Sequence, residues 1–291
     1  MRGYTNLDPA PKGQKAITPN VIREHFQGQD GSNEQAAIAD LFASAFFFAM
    51  RSCEYLSVPG TRRTKRLCLR NLRFFKGNRE LSHNNPYLEN ADTVSVTFEF
   101  QKNDERNDTV TQYRTNDPVL CPVIRWAAVV RRVLSLQGTD RDSAVNTYFD
   151  PITKKNKLIT AITALAALRR TVTRMGKDRL GYTADEMGTH SIRSGTAMAM
   201  YLDRTPVYTI MLLGRWSSDA FLRYIRKQVQ NFSQGVSRRM IRNPEFFTIP
   251  EELDTPSEDP HAPGLSQNFS ARGSHLGLPS EHRTSAFALW S

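Results

Sequence analysis

Two stretches near the end of the chain, Gly188-Thr-His-Ser-Ile-Arg-Ser-Gly-Thr-Ala-Met-Ala199 and Leu213-Gly-Arg-Trp-Ser-Ser-Asp-Ala-Phe-Leu-Arg-Tyr-Ile-Arg226, decide how the rest is read. In the first, His190 and Arg193 stand three apart. If both lie in the first turn of a helix they project to one face, beside a helix N-terminus, where phosphates bind. A single histidine or arginine at such a spacing is more often a satisfied or solvated residue. In the second, a Gly-Arg-Trp turn leads into a helix capped by Ser217 or Ser218. Phe221, Leu222 and Ile225 give that helix an apolar surface, while Arg223, Arg226 and Lys227 surround Tyr224 with charge. Tyr182, Tyr201 and Tyr208 lack such a neighbourhood.

Working outward, residues 1–17 read as a flexible arm, with Thr18-Pro19 opening a short helix. A second helix is predicted from about Asn33 to Glu54, apolar almost all round between Ala36 and Met50 and therefore buried. Strand-like segments follow at Arg66–Phe75, Val94–Gln101 and Thr109–Arg114, the last two joined as a hairpin by the polar turn Asn103–Asp108. Helices are expected at Pro122–Leu136, Leu158–Met175, Ser191–Leu202, Pro206–Leu213 and Ser218–Ser233. This is an α+β class, mostly helical, with a small antiparallel three-stranded sheet. One domain spans 18–245. The Pro-, Ser- and Gly-rich segment 246–291 is expected to be a disordered tail.

The 291 residues carry a net charge of +10, which points to a polyanionic partner. Between Tyr55 and Arg79 stand Arg62, Arg63, Lys65, Arg66, Arg70, Arg73, Lys76 and Arg79, with no acid among them. Nucleic acid is favoured over a membrane surface, because this run is strand-like rather than an amphipathic helix. Arg62, Arg63, Lys65, Arg66 and Arg215 are the expected DNA contacts. No apolar run approaches bilayer length. Cys53, Cys68 and Cys121 form neither a disulfide framework nor a zinc set. Asp104, Glu105 and Asp108 fit a polar hairpin tip better than a magnesium site, so no metal or cofactor is expected.

Taken together, these motifs resemble those of the tyrosine recombinase (phage integrase) family over roughly Thr18 to Arg242. The family's Arg-x-x-Glu after a buried helix matches Arg51 and Glu54. Its hairpin lysine matches Lys102 in Phe98-Glu-Phe-Gln-Lys-Asn, and its His-x-x-Arg box matches His190 and Arg193. Its Leu-Gly-(His or Trp) turn matches Leu213-Gly214-Arg215-Trp216 with one inserted arginine, and the spacing beyond selects Tyr224 as nucleophile. The wording of the match looks like recombinases of Crypton and DIRS-like mobile elements.

The resemblance implies a site-specific recombinase or integrase acting through a 3′-phosphotyrosine without a metal. Tyr224 would attack, its phenol pKa of about 10 lowered by nearby arginines. Arg51 and Arg193 would clamp the phosphate as it becomes pentacoordinate. Lys102 would protonate the leaving 5′ oxygen. His190 would hydrogen-bond the phosphate or accept the tyrosine proton, Trp216 would donate its indole N–H, and Glu54 would orient Arg51 or His190. Double-stranded DNA, a homo-tetramer assembled on it, and the nucleus in a eukaryote are implied likewise. The family's helical core-binding domain is not matched in residues 1–32. A non-catalytic DNA-binding descendant and a type IB topoisomerase are the competing readings.

Overall fold

Small and aromatic residues cover every side of the segment from Ala36 to Phe46, so the helix they form has no solvent face. In the computed structural model, which describes residues 14–60, 64–100 and 107–216, this helix is α2 (Asn33–Phe47). Ser32 starts it, its hydroxyl accepting the Gln35 N–H at 3.2 Å. Ala37, Ala39, Ala43 and Ala45 let neighbours come close, and Ile38, Leu41, Phe42 and Phe46 fill the space between. Packed around it are α1 (Pro19–Gln27), α4 (Pro122–Leu134), α5 (Ala161–Met175) and α7 (Ser191–Leu202). Short helices α3 (Ser52–Tyr55) and α6 (Lys177–Leu180) and the terminal described helix α8 (Val207–Gly214) complete the helical set among the described residues. None is long and apolar enough to cross a membrane.

The α+β class is observed, but the sheet is larger than three strands. Strands β1 (Leu72–Lys76), β2 (Arg79–Leu81), β3 (Thr93–Phe98) and β4 (Asp108–Tyr113) form an antiparallel sheet of order β2-β1-β3-β4. The hairpin β3–β4 pairs Phe98 with Asp108. The added strand β2 is three residues, Arg-Glu-Leu, turned back at Gly77 (φ 54°), with too little hydrophobic alternation to announce itself. A separate ribbon, β5 (Thr147–Asp150) with β6 (Lys155–Leu158), takes Leu158 out of the following helix. Helix α5 instead starts after Thr160, whose hydroxyl accepts the Thr163 N–H at 3.1 Å.

The expected strand from Arg66 begins only at Leu72. Residues 68–70 pair with the 141–144 segment, through Leu69 N–H to Ser143 O at 3.1 Å and a Cys68–Ala144 bridge, and then make a 3-10 turn. The N-terminal arm is also shorter than expected. Lys15 N–H bonds Glu186 O, Ile17 N–H bonds Ser191 O, and Ile17 is buried.

Charged residues lock α4 to α2. Asp40 accepts from Arg125 at 3.1 Å and Arg132 at 3.3 Å, and burial pushes its carboxyl pKa up while the two guanidiniums pull it down. Between α1 and α5, His25 is buried with Nδ1 2.8 Å from Thr171 Oγ1. That hydroxyl donates to Ala167 O at 3.2 Å, so the imidazole Nδ1–H donates to it and Nε2 is left buried without a hydrogen bond. Burial first, then Arg174 and Arg170, hold the His25 pKa down at about 4. A depressed histidine favours the fold while neutral. Its contribution is complete above about pH 6.5 and is lost as the pH falls towards 4, in total about 3 kcal/mol. His83 is lowered by burial in the same direction. The expected result is that the fall in urea midpoint between about pH 7 and 4.5 is much shallower in His25→Phe than in the wild type. Equal slopes in the two proteins would mean that His25 does not carry the effect.

Candidate active site

Helix α2 stops where four of its last carbonyls need donors. Phe48 leaves the helix and Ala49 takes a left-handed conformation (φ 45°), so that Met50 N–H reaches back to Ala45 O at 3.1 Å. This is the six-to-one bond of a Schellman motif, with alanine where glycine is usual, at a cost of about 1 kcal/mol. The predicted helix through Glu54 is therefore interrupted at residues 48–51. Side chains from distant elements then fill the exposed carbonyls. Thr196 donates to Phe46 O at 2.5 Å, Gln112 to Phe47 O at 2.8 Å, Arg215 to Phe48 O at 2.9 Å, and Arg193 to Ala49 O.

Helix α8 ends in the same way. Arg215 is left-handed (φ 54°), and Trp216 N–H bonds Met211 O at 2.9 Å. The freed Gly214 carbonyl accepts from Arg193 at 2.5 Å. Gly214 has to be glycine, because a Cβ there would collide with the Trp216 ring. Arg193 is 2% exposed and thus bridges two helix C-termini, with its guanidinium 4.2 Å from the centre of the Trp216 ring. Each terminus carries about half a negative charge, which favours a buried cation between them.

Arg51 opens α3. Its guanidinium donates to Glu54 Oε1 at 3.0 Å and to Arg215 O at 3.4 Å, and its backbone N–H donates to Glu54 Oε2 at 2.8 Å. Glu54 is fully buried, and its Oε2 also accepts from Arg215 Nη2 at 2.8 Å. Arg215 further stacks 3.6 Å from the Phe98 ring centre, and burial lowers its pKa against the opposing pull of Glu54. Two guanidiniums, of Arg51 and Arg215, thus meet at one buried carboxylate, with Asp108 close enough to Arg215 to be felt.

The structure corrects two expectations about DNA contacts. Arg215 was expected on the DNA surface, but it is buried, because its guanidinium turns inward to the Phe48 carbonyl and the Glu54 carboxylate. The run from Tyr55 to Arg79 was expected to be uncompensated, and acids from elsewhere in the chain reach it. Lys65 and Arg70 pair with Glu99, Arg70 also with Asp142, Arg73 with Glu80 at 2.6 Å and Lys76 with Asp92 at 2.5 Å. Arg66 donates to Ser57 Oγ at 2.7 Å. Arg70 and Lys65 hold the Glu99 carboxyl down at about 2. Exposed pairs of this kind are weak, so they lower the local field without closing the surface to phosphate.

His190 is the residue before α7 and is exposed, whereas Arg193 is buried, so the two do not share one environment. The arm fixes the histidine's backbone: Gln14 Oε1 accepts the His190 N–H at 2.8 Å. Passage of the arm requires Gly195, where a Cβ would meet the Ile17 carbonyl, while a Cβ at Gly188 would displace the end of the Gln14 side chain. Neither Gln14 nor the Arg215–Glu54 pair was anticipated. The available signal was an arginine inside an apolar turn. Tyr224 and its helix, Lys102, Arg62, Arg63 and the 246–291 tail lie outside the described residues.

No protein-family model matches the sequence, and no curated protein does. Among solved structures, the chain is similar to the XerH site-specific recombinase bound to a palindromic difH substrate in a post-cleavage complex. That similarity has a TM-score of 0.47 at 14% identity, over 78% of this chain and 54% of the other. It is also similar to the Tn1549 transposon integrase in complex with transposon right-end DNA, with a TM-score of 0.43 at 11% identity, over 78% of this chain and 68% of the other. The chain thus spans about half the length of the XerH recombinase.

Proposed function

We propose that this chain is the catalytic part of a tyrosine recombinase that breaks and rejoins double-stranded DNA. The observation that carries the reading is convergence. Arg51, Arg193 and Trp216 come from separate parts of the sequence and meet around Glu54 and the ends of α2 and α8. Two guanidiniums in one cluster suit a phosphate gaining charge on its non-bridging oxygens. Tyr224 Oη attacks the phosphorus and forms the phosphotyrosine bond while the P–O5′ bond breaks. The phenol proton passes to a base, for which His190 is the candidate, and Lys102 gives a proton to the departing O5′. Rejoining runs the same steps backwards. The charge is supplied by side chains, and the chemistry is metal-independent. A tetramer on DNA, a mobile-element origin and a nuclear location in a eukaryote belong to the same proposal.

The test is a pool of nicked duplexes of randomised sequence, on which cleavage releases a short strand and traps the intermediate. The wild type should give a denaturant-stable protein–DNA adduct in the presence of a chelator, and Tyr224→Phe should give none. An adduct that persists in Tyr224→Phe places the nucleophile elsewhere. DNA binding with no adduct from any duplex supports the non-catalytic alternative.

A further inference from the structure

Arg215 occupies a position where glycine would be easier, since the left-handed conformation disfavours any side chain. Its backbone and side chain together explain why an arginine stands there. Both side-chain contacts described for Arg51 lead to it. Arg51 Nη2 donates to the Arg215 carbonyl, which the left-handed turn aims at it. Arg51 Nη1 donates to Glu54 Oε1, and the other oxygen of that carboxylate is held by Arg215 Nη2. Arg215 is itself fixed by the Phe48 carbonyl and the Phe98 ring.

We infer that Arg215 is a positioning residue: it sets the guanidinium of Arg51 by anchoring Glu54 from the buried side and presenting its own carbonyl. The role for catalysis rests on the proposal that Arg51 contacts the scissile phosphate, but the positioning itself does not. The left-handed strain follows from this arrangement, because only a residue that turns sharply and still carries a fork of donors makes both contacts. A lone buried Glu54 would otherwise draw Arg51 into a two-bonded pair and away from substrate.

The test uses the full chain as wild type, Arg215→Met and Glu54→Gln/Arg215→Met. The first readout needs no DNA: the Nε–H resonance of Arg51, assigned by its loss in Arg51→Lys. In Arg215→Met its solvent exchange should rise about tenfold or more, as ordering is lost. The double variant removes both members of the buried pair and should recover the stability that Arg215→Met loses. It keeps the measurement possible if the single variant does not fold. Its Arg51 signal should stay in fast exchange, and its adduct rate should stay about 100-fold down, as expected for a misplaced group. An unchanged Arg51 signal in the variants overturns the inference. So does a double variant whose adduct rate returns with its stability, since Arg215 would then serve only the fold. If the wild type forms no adduct, the recombinase reading fails while the Arg51 resonance still decides the positioning.

Discussion

Replacing Arg193 with alanine should lower thermal stability by roughly 10 °C and remove the DNA adduct altogether. The side chain is almost completely buried and donates to two carbonyls, Ala49 O and Gly214 O, which end two different helices. Each would be left buried without a donor, at about 1–3 kcal/mol apiece. Loss of the stack on Trp216 adds about 1 kcal/mol more, for a total on the order of 4 kcal/mol. Arg193→Lys should fall between the two, because a single ammonium cannot bridge both helix ends as a planar fork does. Calorimetry on the two variants checks this. A shift below about 2 °C in Arg193→Ala would show that α2 and α8 do not depend on the bridge.

Removal of Glu54 is the second large effect. Glu54→Ala removes the carboxylate that pairs at 2.8 Å with the guanidinium of Arg215, whose side chain is completely buried. It also removes the acceptor for the Arg51 backbone N–H, which starts α3. Breaking one side of a buried ion pair costs about 3–5 kcal/mol. Glu54→Gln keeps an acceptor for one donor and should lose about half as much. Urea midpoints at neutral pH measure both. A loss below about 1 kcal/mol in Glu54→Ala would mean that the Phe48 carbonyl and the Phe98 ring are enough to hold the Arg215 charge.

The two predictions differ in origin, and so does what could be read in advance. Glu54 was expected to orient Arg51 or His190 because the family resemblance implies it, and the contact with Arg51 spans a sequence separation of only three residues. Arg193 was expected to face the same way as His190. Its burial depends on Gly214 and Ala49, one 21 and the other 144 residues away in sequence. No spacing rule within α7 contains those partners. The long helix predicted from Asn33 to Glu54 failed for a related reason. Phe47-Phe48-Ala49-Met50 has helical composition and no glycine or proline. Its stop is held by side-chain donors from β4, α7 and the turn after α8, which replace the missing local signal.

Charge shows the same division. Eight basic residues and no acid between Tyr55 and Arg79 describe a chain segment, not a surface. Glu99 and Asp142 reach Arg70 from 29 and 72 residues away, and Glu80 and Asp92 cover Arg73 and Lys76.

By itself the sequence determined the elements whose signals are local: the buried run of α2, the hairpin β3–β4, the start of α7 at Ser191, and the order of Arg51, Glu54, His190, Arg193 and Trp216 along the chain. Periodicity, capping residues and short spacings are properties of neighbouring residues, and they persist whatever the rest of the chain does. The tertiary structure alone decided which helix ends the arginines would cap, and that Arg215 would turn inward to Glu54. It also decided which acids would meet the basic run. Those outcomes depend on where unpaired carbonyls and charges from remote segments are brought together, and burial makes leaving them unpaired costly.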